Sequence, residues 1–132
     1  MPITELSTVV VPVADQDAAL TFYTEVLGLE TLLDFTYETG ERWLEVGPAG
    51  QTISLCLVAS SNTGVETGIA LCSSDVAGDR ETFGALGARV DDALLTPGEV
   101  VRWAGAPLAG RPPQFRVWDP DGNSLLIVAQ VP

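Results

Sequence analysis

The sequence predicts an α+β fold built from two β-α-β-β-β halves. Three observations carry that reading. The chain closes on a strand, a tight turn and a strand, Phe115-Arg116-Val117-Trp118-Asp119-Pro120-Asp121-Gly122-Asn123-Ser124-Leu125-Leu126-Ile127-Val128. The same construction stands earlier, between Trp43 and Cys56, around Gly47-Pro48-Ala49-Gly50. Each hairpin is preceded by an Asp-initiated helical pattern ending in Gly, Asp15 to Gly28 and Asp75 to Gly87. Repetition at this scale defines the architecture, because each half has one helix and therefore covers one face of its small sheet. Two such sheets side by side make a curved surface with a concave side.

The elements follow in order. Ser7 to Val13 is β-branched and reads as a strand. Asp15 is a natural N-cap, and Ala18, Ala19, Phe22, Val26 and Leu27 recur at helical spacing up to Gly28. Leu29 to Tyr37 is a second strand, with Phe35 and Tyr37 on one face and Asp34, Thr36 and Glu38 on the other. Thr39-Gly40 turns the chain, and Arg42 to Val46 and Thr52 to Ala59 form the first hairpin. Ser60-Ser61-Asn62-Thr63-Gly64 is a polar connector and the one clear internal boundary. Ile69 to Cys72 is the next strand, Val76 to Leu86 the second helix, and Arg89 to Leu95 a further strand. Thr96 to Pro113 is irregular and carries Val100, Val101 and Trp103. In the last turn Pro120 presets φ and Gly122 supplies a positive φ.

Composition narrows the function. The chain has 132 residues and 46% hydrophobic content, enough for one packed domain. No apolar run approaches a membrane span, and Met1-Pro2-Ile3-Thr4-Glu5 lacks the features of a signal peptide, so the expected location is cytoplasmic. The net charge is −12, with six arginines, no lysine and no histidine. Such a balance excludes nucleic acid as a natural partner, because phosphate neutralisation needs clustered cations. An acidic surface serves solubility, or steers a cationic ligand into a groove. Cys56 and Cys72 lie in apolar strand patterns and read as buried structural thiols.

The run Thr8-Val9-Val10-Val11-Pro12-Val13-Ala14-Asp15, followed by Ala19 to Glu30, resembles the opening of vicinal oxygen chelate proteins. That superfamily holds glyoxalase I, extradiol dioxygenases and bleomycin-resistance proteins. Phe115 to Leu126 resembles its second signature. The resemblance spans the whole chain and implies a single glyoxalase/bleomycin-resistance-like domain over 1–132. Its modules, 3–60 and 67–132, would form a curved mixed sheet around a cavity, commonly at a dimer interface. Phe22 and Tyr23 of the first signature read as core, and Asp119 to Asn123 as a turn.

In metal-using members, four strand positions converge on one divalent cation. The repeat places them here by counting. Thr8 and Gly68 lie seven residues before Asp15 and Asp75, and Ser54 and Leu126 lie seven after Gly47 and Asp119. None of these residues offers an imidazole, a carboxylate or a thiolate. The neighbouring Glu45 and Glu66 would still make a poor ligand set. The expectation is therefore no family-type metal centre and no cofactor, and no catalytic residue is assigned.

Residues in phase with those four positions should face the same way, namely Val10, Thr52, Cys56, Ala70, Ser124 and Val128. Phe35, Tyr37, Trp43 and Trp103 are candidates for stacking on a ring-bearing ligand, and equally for core or interface. Glu45, in phase with Trp43, is either a solvated or paired carboxylate, or an anchor for a cation, or a base. Arg102 and Arg116 stand out because cations are scarce. The expected ligand-lining set is Thr8, Val10, Phe35, Tyr37, Trp43, Glu45, Ser54, Cys56, Gly68, Ala70, Trp103 and Leu126. The favoured function is metal-independent binding of an aromatic or cationic small molecule by a homodimer, for sequestration or resistance. A lyase-like or dioxygenase-like enzyme with an atypical or absent metal site, and a protein-interaction module, remain alternatives.

Overall fold

The computed structural model describes residues 2–98 and 101–131, and Val100 lies outside them. The chain divides into two compact units, Met1–Thr63 and Gly64–Pro132, at the polar connector. Among the described residues the fold is α+β, with mixed sheets and two α-helices.

Unit 1 runs β1 (Thr8–Val13), α1 (Gln16–Thr21), β2 (Glu30–Thr36), β3 (Arg42–Gly47) and β4 (Ser54–Ala59), with sheet order β1-β4-β3-β2. β1 and β4 are parallel, and the other pairs are antiparallel. The Asp15 carboxylate caps α1 by accepting from the N–H groups of Asp17 and Ala18. α1 then loosens into a π-helical turn, Phe22–Val26, which Leu29 N–H closes by donating to the Tyr23 carbonyl across Gly28 at φ 74°. Phe22, Tyr23 and Ala19 are buried, as are Val11, Val13, Leu44, Val46, Leu55 and Leu57 of the sheet. Gln16 fastens the helix start to the strands, donating to the carbonyls of Arg42 and Leu57. Arg42 reaches Asp17 at 2.7 Å and Asp34 at 2.8 Å, tying α1, β2 and β3 at the surface.

Unit 2 runs β5 (Glu66–Ser73), α2 (Val76–Ala85), β6 (Arg89–Val90), β7 (Val101–Trp103), β8 (Ala106–Leu108), β9 (Gln114–Trp118) and β10 (Ser124–Ala129). The sheet order β5-β10-β9-β6 repeats that of unit 1, and β7-β8 is an added hairpin. Asp75 caps α2 through Gly78 N–H. Phe83 of α2 meets Phe115 of β9 at 6.0 Å between ring centres. The turn between β9 and β10 is held from inside. Asn123 is fully buried, its Oδ1 accepts from Gly64 and Val65 N–H, and its Nδ2 donates to Asp119. The turn residue thus fixes the first residues of its own unit.

Three expectations are corrected. The strand expected over Arg89 to Leu95 stops at Val90, and only Leu95 returns, as a bridge to Gln114. The reason is Asp91: its backbone N–H still donates to the Arg116 carbonyl, but its carboxylate takes the Arg116 backbone N–H and guanidinium in place of the return ladder bond. Cys72 is exposed, while Cys56 is buried as expected. Counting seven residues from each turn also slips. The β3–β4 connection is longer than β9–β10, so Ser54 stands just before the Val46–Leu55 rung whereas Leu126 pairs with Arg116.

Replacing Asn123 by Ala leaves the Gly64 and Val65 N–H groups without their acceptor. Chemical denaturation is expected to show a loss of about 2–3 kcal/mol, against under about 0.5 for Asn62→Ala on the exposed connector. Asp34 is held below its ordinary value by the hydrogen bond from Arg42, with charge attraction adding and desolvation opposing. Its contribution is therefore complete above the ordinary carboxylate pKa and is lost as pH falls through the lowered one. Asp34→Asn is expected to flatten that acid limb of the stability profile, and an unchanged limb would contradict the pairing.

Candidate functional site

Helix α1 dries one face of the unit 1 sheet and leaves the other open. Cross-strand pairing shows which residues share the open face. Thr8 pairs with Ser54 and Val10 with Cys56; Cys56 pairs with Glu45; Glu45 pairs with Leu33 and Trp43 with Phe35. Tyr37 joins them, its ring edge-to-face with Phe35 at 4.9 Å. Thr8, Val10, Phe35, Tyr37, Trp43, Glu45, Ser54 and Cys56 therefore form one surface. Leu33 belongs to it too and was not singled out from the sequence, although its period-2 spacing to Phe35 signals it.

The outer part of this face is apolar and open: Val10 is 53% exposed, Leu33 47%, Phe35 51% and Tyr37 49%. The centre is a hydrogen-bonded chain. Trp43 Nε1 donates to Glu45 Oε2 at 2.6 Å, and Ser54 Oγ lies 2.5 Å from Glu45 Oε1 and 2.8 Å from Thr8 Oγ1. The Trp43 N–H and both hydroxyls are thus spent on partners. What remains for a ligand is the Glu45 carboxylate as acceptor and the aromatic faces around it. Burial pushes the Cys56 thiol up, a Leu44 backbone hydrogen bond opposes this, and the nearby Glu45 charge adds to the rise. Thr52 lies before β4, and its hydroxyl meets Glu5 at 3.2 Å.

In unit 2 the corresponding positions are differently occupied. Gly68 sits at φ 74° in a bulge, where β5 advances from Glu66 to Ala70 while β10 advances only from Ser124 to Leu126. Leu126 is buried and Ala70 exposed. Trp103 is also buried and belongs to the β7–β8 hairpin, not to an open surface. Its Nε1 donates to Ser124 Oγ at 2.8 Å, so the hairpin covers the sheet face opposite α2. Val128 is half-buried on β10. Arg102 is exposed and donates to the Gly105 carbonyl, and Arg116 is paired with Asp91 at 2.7 Å.

The four counted positions carry none of the usual metal ligands. Thr8 and Ser54 hold hydroxyls already engaged, Gly68 has no side chain, and Leu126 is hydrocarbon. Among the described residues, no three His, Cys, Asp or Glu side chains are grouped to hold an ion. No described helix is long and apolar enough to cross a membrane.

The model of the Glyoxalase/Bleomycin resistance protein/Dioxygenase superfamily matches residues 5–127. The chain belongs to this superfamily. It is similar to TnmS3, an antibiotic binding protein from Streptomyces sp. CB03234, at 31% identity over 99% of both chains with a TM-score of 0.77. It is also similar to a glyoxalase/bleomycin resistance protein from the same organism, at 31% identity over 94% of this chain and 99% of that one, with a TM-score of 0.70. A superfamily member from Sphaerobacter thermophilus DSM 20745 shares the fold, with a TM-score of 0.80 at 24% identity over 98% and 100% of the chains. No curated protein matches the chain.

The two thiols should differ in reactivity. At mildly alkaline pH a thiol reagent is expected to label Cys72 promptly in the native protein and Cys56 only on unfolding. Equal labelling of both without denaturant would contradict the closed packing at Glu45 and Cys56.

Proposed function

We propose that this chain is a metal-independent small-molecule binding protein of the sequestration or resistance type. Its site is the open face of the unit 1 sheet, and the single domain comprises modules 3–60 and 67–132. One observation carries the reading. A carboxylate, Glu45, is positioned by Trp43 and Ser54 at the centre of a face whose rim is exposed Phe35, Tyr37, Leu33 and Val10. An apolar, aromatic surface with a single fixed acceptor suits a flat ligand that carries an N–H or O–H donor or a positive charge. The net charge of −12 favours the approach of a cation. Similarity to an antibiotic binding protein supports the same direction. The absence of an imidazole, carboxylate or thiolate at the four counted positions, Thr8, Ser54, Gly68 and Leu126, supports the metal-independent reading.

In the same proposal the chain is a homodimer. β2 is exposed at every residue and carries Leu32, Leu33 and Phe35, and an edge strand of this kind calls for cover.

Calorimetry against a panel of flat aromatic cations and neutral aromatic antibiotics tests the reading. At least one compound is expected to bind, with about tenfold weakening by Phe35→Ala and by Glu45→Gln. Binding by none of them, or binding indifferent to both variants, would remove it. Elemental analysis of untagged protein separates the enzyme alternative, since a stoichiometric divalent metal would overturn metal independence. Sedimentation is expected to give twice the chain mass.

A further inference from the structure

The six arginines of this acidic chain are used unequally. Arg42 is held by Asp17 and Asp34, Arg116 by Asp91, Arg80 by the carbonyls of Asp91 and Asp92, and Arg102 by the Gly105 carbonyl. Like the exposed Arg111, Arg89 has no side-chain hydrogen-bond or ionic partner among the described residues. It is nonetheless held, with its guanidinium carbon 4.0 Å from the centre of the Trp118 ring. Arg116 lies against the same indole at 5.2 Å.

The strand register explains the cluster. Arg89 pairs with Trp118 across β6 and β9, and Arg116 is two residues before Trp118 on β9. All three side chains therefore project from one face of the unit 2 sheet, opposite Phe115 and α2. Stacking on an indole occupies the face of a guanidinium and leaves its in-plane N–H groups outward. Arg116 spends its Nε and Nη2 on Asp91, and its Nη1 has no partner among the described residues. The Trp118 indole N–H likewise has none.

The nearby carboxylates are already committed. Asp91 gives both oxygens to Arg116, and Glu66, which also bears on the Arg116 charge, accepts the Ala104 N–H. The result is a group of unspent donors around one half-buried ring.

We infer that Arg89, Arg116 and Trp118 form a second ligand site, on unit 2, for an oxyanion such as a carboxylate or a phosphate. A guanidinium fork held in place by stacking is a donor arrangement that planar or tetrahedral oxyanions accept. The site is chemically opposite to the open face of unit 1, where Glu45 offers only an acceptor. It does not rest on the ligand reading made for that face, and either can fail alone.

Nitrogen-resolved NMR of the full chain tests it, with inorganic phosphate and acetate titrated separately at constant ionic strength in chloride. The Arg89 Nε–H and Trp118 indole resonances are expected to shift saturably, while the Trp43 and Trp103 indoles stay still. Arg89→Gln, at an exposed position, is expected to weaken the affinity about tenfold or more with unchanged circular dichroism. Arg89→Lys keeps the charge without the fork and is expected to fall between. Saturation by one probe alone assigns the site to that class, and saturation by both makes it a general oxyanion site. Linear shifts with both probes, or a response in Arg89→Gln equal to the parent's, overturn it.

Discussion

One helix covers one face of a four-stranded sheet, and among the described residues each unit of this protein has one α-helix. The opposite face is left to other means. In unit 1 the helix-side strand residues Val11, Val13, Leu44, Val46, Leu55 and Leu57 are buried, and the other face closes its centre with hydrogen bonds among Trp43, Glu45, Ser54 and Thr8. In unit 2 the same need is met by a hairpin, pinned by Trp103 on Ser124 and by Ala104 N–H on Glu66. The two solutions leave different chemistry at the surface: an acceptor ringed by aromatics on one unit, and stacked guanidinium groups on the other.

A carboxylate at the centre of an apolar face is costly to desolvate unless its oxygens are bonded. Glu45 meets that condition with one donor on each oxygen. The arrangement also orders the site, since Trp43 is held by its own N–H and can offer a ligand only its ring. On the proposed reading, binding energy on such a face would come from stacking and area, and selectivity from the one fixed acceptor.

Much of this was legible in the chain. Asp15 and Asp75 cap helices because a short carboxylate reaches back to the first free N–H groups, a strictly local act. Gly28 and Gly87 end them at positive φ for an equally local reason. Period-2 alternation placed Trp43 with Glu45 and Phe35 with Tyr37. The register of unit 2 was not legible, because the Gly68 bulge and the shorter β9–β10 turn are settled by strands far apart in sequence. The truncation of β6 depended on Asp91 finding Arg116, twenty-five residues away.

Local chemistry in the sequence determined the elements, their order, their repetition and the absence of metal-binding side chains at the four counted positions. Those properties need only neighbours within a turn or a strand. Tertiary structure alone decided which aromatics stay open and which are consumed. Phe35 stands on an edge strand and Tyr37 just beyond its end, with no covering element among the described residues of their unit, whereas Trp103 is buried because its hairpin folds back on β10. It also decided that Arg89 would stack on Trp118 instead of meeting an acid, an outcome set by one cross-strand pair. Burial and pairing are properties of the assembled sheet, and residue identity does not contain them.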